Sequence, residues 1–250
     1  MILEIDYGNT RLKWRLLNAD SQKPVKTGAA IDLQGLFISL KNIENAEVVY
    51  CRVCSVRMAD DNAKHAVLIK DLYGIAVEYA QSQQTLVGVT NGYLDPGRLG
   101  VDRWLAIVAA YVRVQGACVV IDCGTAITVD YIRADGLHLG GCIVPGMRMM
   151  RAMLESGTQL VKDTKDAVVD TSMIFGDTTH AAVTIGVRSM VSGFIKEQLQ
   201  RAQSALGASF VVLCTGGDSR VVCAVTADAR VEDDLVFIGL AIACPYSAKE

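Results

Sequence analysis

The stretch Asp6-Tyr7-Gly8-Asn9-Thr10 lies between two apolar runs, Met1 to Ile5 and Leu12 to Leu17, and reads as strand, polar glycine turn, strand. A hairpin needs only residues that tolerate the bend. This turn adds a carboxylate, a carboxamide and a hydroxyl around a glycine, a set suited to phosphate and its metal. The pattern returns further on: Cys118 to Ile121 is apolar, Asp122-Cys123-Gly124-Thr125 follows, and Ala126 to Ile132 is apolar again. Two copies of strand, D-x-G, threonine and strand, about half a chain apart, predict a duplicated domain. The expectation is that the two hairpins face each other and hold a nucleotide between them.

Composition narrows the classes around that reading. The 250 residues fit one large domain or two small ones, with 51% hydrophobic and 20% charged residues excluding disorder. A mean hydropathy of +0.31 prompts a search for membrane spans. The longest apolar runs, such as Trp104 to Val112, fall short of the roughly 18 residues a span requires. The start, with Glu4 and Asp6, lacks the basic and long apolar parts of a signal peptide, so a cytoplasmic protein is expected. The net charge of -3, without long blocks of one sign, argues against a nucleic-acid surface. Most of the eight cysteines read as small buried hydrophobes. Cys51 and Cys54 have the spacing of half a zinc site or a redox pair, but His65, His138 and His180 stand alone, so no metal cage is expected.

Outward from the first hairpin, Lys23 to Ala30 predicts a third strand and Asp32 to Leu40 a short helix capped by Asp32. Glu47 to Val53 predicts a strand, Ala59 to Leu72 an amphipathic helix ended by Gly74, and Ile75 to Tyr79 a further strand. This order predicts a mixed sheet with helices on its faces. From Gln81 to Gly100 periodicity is lost and glycines accumulate, as in a functional loop. Asp102 and Arg103 then open a helix marked by Trp104, Leu105, Ile107, Val108 and Tyr111. The amides of that first turn favour an anion, either a carboxylate or an acidic substrate. Equally, Asp102 could simply cap the helix while Arg103 pairs on the surface.

In the second half, Leu137 to Val144 predicts a strand interrupted by Gly140-Gly141, and Met147 to Leu154 a helix whose methionines fill a core or an interface. Gly157 to Phe175 reads as a loop. Gly176-Asp177-Thr178-Thr179 then starts a long helix through Leu206, with Gly186 and Gly193 on one side, where close approach of another helix or a ligand is the expected reason. A strand at Phe210 to Cys214 leads into Thr215-Gly216-Gly217-Asp218, a turn that admits a flat ligand, and Leu235 to Cys244 forms an apolar helix.

Neither G-x-x-x-x-G-K-[ST] nor G-x-G-x-x-G between strand and helix occurs, so a nucleotide must be held by other turns. Taken together, Asp6-x-Gly8-Asn9-Thr10-x-x-Lys13, Gly100-x-Asp102-Arg103, Asp122-x-Gly124-Thr125 and Thr215-Gly216-Gly217-Asp218 resemble type III pantothenate kinase from residue 6 to the final helix. The resemblance implies an α/β fold of two duplicated actin-like (ribonuclease H-like) domains, over 1–115 and 116–250, with mixed sheets flanked by helices and a cleft between them. It also implies the first step of coenzyme A synthesis, ATP-dependent phosphorylation of pantothenate.

The same resemblance implies roles for particular residues. Asp6, Tyr7, Gly8, Asn9, Thr10, Arg11, Leu12 and Lys13 would form the first phosphate site, Asp6 helping to hold Mg2+ through water. Thr125 would belong to the second, and Gly216 and Gly217 would lie near adenosine. Local chemistry allows Asp122 to be a second magnesium ligand, whereas the family assigns that position to a monovalent cation, K+ or NH4+, and that assignment is adopted. Tyr93, Gly100, Val101, Asp102, Arg103 and Thr179 match pantothenate-binding positions, with Asp102 as general base, in a pocket bordering the interface of a homodimer. A sugar or small-acid kinase of the same fold would differ around residues 93 to 103. A transcriptional accessory protein would have no use for Asp102, nor an actin-like assembly ATPase for Gly100 to Arg103. No nucleic acid or membrane partner is expected.

Overall fold

The computed structural model describes residues 1–41, 43, 47–161 and 173–247. They fall into two compact units, Met1–Arg113 with Asp234–Glu250, and Val114–Asp233.

The first unit is built on β1 (Ile2–Tyr7), with β2 (Leu12–Leu17), β3 (Pro24–Ala30), α1 (Leu33–Lys41), β4 (Tyr50–Ser55), α2 (Ala59–Tyr73) and β5 (Val77–Tyr79) following it. A two-strand ribbon, β6 (Thr85–Leu86) with β7 (Val89–Thr90), precedes α3 (Val101–Val114). The sheet order is β3-β2-β1-β4-β5, with β1 antiparallel to β2 and parallel to β4. The expected strand at Glu47 begins only at Tyr50, where the ladder with Ile2 starts. Asp32 caps α1, its carboxylate accepting the Gly35 amide at 2.8 Å. Gly74 ends α2 at a φ of 70°, a left-handed turn that glycine adopts freely.

Alternation along β1 explains how the sheet is covered. Leu3, Ile5 and Tyr7 point into a core with Trp14, Leu36 and Ile69. Glu4 points to the other face and is fully buried. A buried carboxylate requires partners, and it has two: Arg15 binds it through Nε, and Arg52 Nε donates to it at 2.8 Å.

The second unit repeats the plan: β8 (Cys118–Cys123), β9 (Ala126–Ile132), β10 (His138–Pro145), α4 (Met147–Gly157), α5 (Thr179–Leu206), β11 (Val211–Thr215), α6 (Arg220–Val225) and β12 (Arg230–Val231). Its order is β10-β9-β8-β11-β12, with β8 antiparallel to β9 and parallel to β11. The two expected mixed sheets with flanking helices are therefore present. The Gly140 interruption is an irregularity in the β9 ladder, with φ at 107°.

The chain closes with α7 (Leu235–Ala243), apolar almost throughout, which packs on β1 and β4. Arg52 Nη1 donates to the Cys244 carbonyl at 2.8 Å and Arg15 Nη1 pairs with Asp234 at 3.1 Å, so the partners of Glu4 also hold both ends of this helix. Gly239 lies against the Leu105 backbone of α3, where a Cβ would collide. These contacts group α7 with the first unit, whereas a division at 115/116 assigns it to the second.

One further expectation meets a different structure. Gly186 and Gly193 are exposed on α5, and a Cβ at either would touch nothing among the described residues, so close approach within the chain does not explain them. Of the methionines, Met147 and Met150 pack on the second core while Met149 and Met153 face outward. Most of the loop expected at Gly157 to Phe175 lies outside the described residues. Among the described residues no helix is long and apolar enough to cross a membrane.

Candidate active site

In the first unit Asp6 stands near the end of β1, opposite Lys13 on β2 and Cys54 on β4. Between Tyr7 and Leu12 the turn has four residues, of which Asn9, Thr10 and Arg11 are exposed. Gly8 faces the Arg11 carbonyl oxygen, which a Cβ would meet at 3.2 Å. Lys13 is exposed beside the turn, whereas Tyr7 and Leu12 are buried and anchor it. The turn thus gathers a carboxylate, an amine and a guanidinium on a rigid base, a set able to hold phosphate oxygens.

The 81–100 segment is fixed by its own polar contacts. Asn91, almost fully buried, donates from Nδ2 to the Gln83 and Pro96 carbonyls at 3.2 Å each, and its Oδ1 accepts the Tyr93 amide at 3.0 Å. Ser82 Oγ donates to the Leu99 carbonyl at 2.8 Å. Residues 96–98 form one helical turn capped by Asp95. This framework delivers Gly100 to the start of α3, where its carbonyl accepts the Trp104 amide.

Asp102 occupies the first turn of α3, its Oδ1 accepting the Arg103 amide at 2.8 Å. A Cβ at Gly100 would fall 2.7 Å from that same oxygen, so glycine is what leaves the carboxylate its place. Arg103 is buried rather than paired on the surface: Nη1 donates to the Tyr93 hydroxyl at 2.7 Å and the guanidinium lies 5.6 Å from the Tyr93 ring centre. The expected substrate residues Tyr93 and Arg103 are therefore in direct contact.

Cys54 links the two motifs. Its fully buried thiol is pushed well above the ordinary thiol range by burial first, then by the carboxylates of Asp6 and Asp102. The phosphate turn and the candidate base thus act on one neutral side chain. Cys51 and Cys54, three apart on a strand, point to opposite faces and do not form a pair. Beside this cluster a cavity of about 470 Å³ is lined by Ser55, Val56, Arg57, Arg98, Gly100 and Val101, among others.

The second unit gathers its motifs more tightly. Asp122, near the end of β8, lies opposite Thr215 on β11 and Thr128 on β9. Only Gly124 and the exposed Thr125 separate the strands. A Cβ at Gly146 would collide with the Gly124 and Thr125 carbonyls. Gly216, at a φ of 90°, packs on Cys123 and would place a Cβ 2.5 Å from Asp122 Oδ1. Asp218 donates its amide to the Cys123 carbonyl at 3.1 Å. Of the two glycines read as making room for a ligand, Gly216 makes room for the hairpin, and Gly217 is exposed with open space around it. Thr179, exposed, is the first residue of α5, after Thr178, whose Oγ1 accepts the Ala181 amide at 3.1 Å.

The donor sets bear on cations. Among the described residues no three His, Cys, Asp or Glu side chains gather to cage a metal. The Asp6 carboxylate at the 8–11 turn would fit Mg2+, which takes one or two carboxylates and completes its shell with phosphate oxygens and water. The hard oxygens of Asp122 and the neighbouring backbone fit an alkali cation. Sequence reasoning missed Arg57 and Asn91; the position of Arg57, just beyond the carboxyl end of a strand running parallel to β1, is the signal that points to it.

The model of the family described as type III pantothenate kinase matches residues 2–201. A type III pantothenate kinase of Pseudomonas fluorescens is 43% identical over 250 residues, covering 99% of this chain and 100% of its own. Among solved structures, a protein described as a Baf family transcriptional activator, from Campylobacter jejuni, superposes with a TM-score of 0.59 at 22% identity, over 95% of this chain and 94% of that one. Acetate kinase of Porphyromonas gingivalis gives 0.53 at 11%, over 96% and 98%. At such identities the two structures speak for the fold alone, which is that of the actin-like ATPases.

Proposed function

The chain belongs to the type III pantothenate kinase family, and from this we propose that in the ATP-dependent phosphorylation of pantothenate, a step of coenzyme A biosynthesis, Asp102 is the general base. The observation that carries the assignment is geometric: Gly100 and Val101, at the start of the helix that holds Asp102, line one cavity with Ser55 to Arg57 at the end of the strand paired with β1, which brings the Asp6 turn and the Asp102 carboxylate into a single neighbourhood. A carboxylate is far too weak to ionise a primary alcohol in advance. Asp102 therefore orients the hydroxyl and accepts its proton late, as the bond to phosphorus forms. Its Oδ1 accepts the Arg103 amide, which fixes the carboxylate at the start of α3.

The other residues take roles by their chemistry. Asp6 to Lys13 hold the phosphates of ATP, Thr125 belongs to the second phosphate segment, and Gly216 and Gly217 lie near adenosine. Mg2+, held by Asp6 through water, supplies charge neutralisation on the phosphates. Asp122 holds the monovalent cation. Arg103, oriented by Tyr93, directs guanidinium donors to the substrate carboxylate. Gly100, Val101 and Thr179 complete the pantothenate site.

A homodimer is supported by the apolar surface near Thr179. Met149 and Met153 on α4 are exposed, as are Ile174 and Phe175 ahead of α5 and Met190 on it. Gly186 and Gly193 would then serve a partner copy. The need for ATP fits a cytoplasmic enzyme.

The test is phosphopantothenate formation from ATP and pantothenate, with K+ or NH4+ and then with neither. Asp102→Asn should lower turnover by about 1000-fold while the unfolding midpoint holds. Unchanged turnover would remove the base assignment. Robust phosphorylation of a sugar, with no phosphopantothenate, would overturn the substrate.

A further inference from the structure

Arg57 stands two residues beyond the end of β4 and is none of the residues assigned above, yet its side chain meets the phosphate turn twice. Its Nη1 donates to the Asn9 carbonyl at 3.2 Å, and its guanidinium lies over the Tyr7 ring, 5.3 Å from the centre. Tyr7 in turn packs on the buried ring of His65, whose Nδ1 is 3.0 Å from the Tyr79 hydroxyl, so the guanidinium rests on an immobile ring. A third contact sets its direction: Nε lies 3.2 Å from Asp61, in the first turn of α2. The Arg57 amide is 3.2 Å from Ser55 Oγ, which accepts it.

Arg57 also lines the cavity that includes Gly100 and Val101, and about a third of its side chain is exposed. A guanidinium has five donors in a planar fork, of which Nη1 donates to the Asn9 carbonyl while Nε faces Asp61 as an ion pair without a hydrogen bond. Phosphate oxygens suit that fork better than a point charge would.

We propose that Arg57 is a positioning residue of the phosphate turn, holding its backbone through Asn9 and Tyr7 and directing guanidinium charge to the terminal phosphates of the bound nucleoside triphosphate. The inference rests on the assignment of Asp6 to Lys13 as the first phosphate site. Lysine at this position would keep the charge but lose the ring contact and the forked geometry. Asp61, which also stands 4.0 Å from Lys64 Nζ, reaches the turn through Arg57.

The test uses the full-length protein and two readouts: KM and kcat for each substrate, and the rise in melting temperature given by Mg·ATP without acceptor. Arg57→Ala should raise KM for ATP about 10-fold and remove most of the ATP-induced rise, with KM for pantothenate within about twofold. Arg57→Lys should recover part of both. Asp61→Asn should raise KM for ATP about threefold and add nothing to Arg57→Ala in the double variant. A merely structural arginine would instead lower the melting temperature and leave KM for ATP and the ATP-induced rise unchanged. That result, or an independent effect of Asp61→Asn, would overturn the proposal. Wild-type protein that gains no stability from Mg·ATP would instead sink the phosphate-site assignment, which keeps the two failures apart.

Discussion

The central strands of the two units end in the same carboxylate and diverge from there. Asp6 and Asp122 occupy matching places, each with an antiparallel neighbour on one side and a parallel neighbour on the other. Beside Asp6 the parallel strand carries Cys54; beside Asp122 it carries Thr215. The first turn is longer and exposes Asn9, Thr10 and Arg11, whereas the second is pressed between Gly146 and Gly216. Two residues back, the first copy buries Glu4 against arginines, and the second has Val120 beside Leu213. One scaffold thus tolerates either charge or hydrocarbon at the same depth, provided that the charge has its partners. What differs in chemistry is concentrated at the turns.

Replacing the matched residues breaks this comparison where it is strongest. Glu4→Ala leaves Arg15 and Arg52 buried without their carboxylate and should cost about 3–5 kcal/mol in urea unfolding. Val120→Ala, at the same depth in the other copy, should cost about 2 kcal/mol, the loss of two methyl groups and a small cavity. Equal losses would mean that the Glu4 network carries no more than an apolar contact.

The carboxylates themselves come next. Asp6→Asn should lower kcat/KM for ATP by about 100-fold, with the loss partly recovered at high Mg2+, while Asp122→Asn should lose about 10-fold together with the response to K+. Titrations of both variants with the two cations check this. Identical cation profiles would erase the proposed division of labour.

The smallest effect separates the turns. Gly216→Ala forces a side chain into left-handed backbone against Asp122 and Cys123 and should cost about 2–3 kcal/mol, whereas Gly8→Ala, whose methyl meets one carbonyl oxygen, should cost less than about 1 kcal/mol. Thermal unfolding of the pair measures the difference. Comparable losses would show that the first turn is as tightly held as the second.

What was legible in the sequence is what local chemistry decides. The D-x-G hairpins, the cap at Asp32, the polar helix start at Gly176 to Thr179, the stop at Gly74 and the break at Gly140 all follow from a residue and its near neighbours. Contacts remote in sequence were not legible. Nothing around Arg103 indicates that its guanidinium is buried against Tyr93, because the intervening loop is set by the side chain of Asn91. Gly216 reads equally well as room for a ligand or for a neighbouring turn, and only the approach of Cys123 distinguishes them. Arg57 carries no motif of its own; only the fold lays it over Tyr7 and against Asn9.

The grouping of α7 with β1 and β4 has a consequence for how the protein is made. The strand that carries Glu4 leaves the ribosome well ahead of the helix that covers its buried charges, with the whole second unit made in between. The stretch Val114–Asp233, contiguous in the chain, is complete before α7 emerges and is free to fold as a unit during synthesis. The first sheet waits with one face open, its glutamate and two arginines still in water. The first sheet is thus completed only once α7 has emerged, so a chain interrupted before residue 234 would leave that sheet without the helix that both arginines hold.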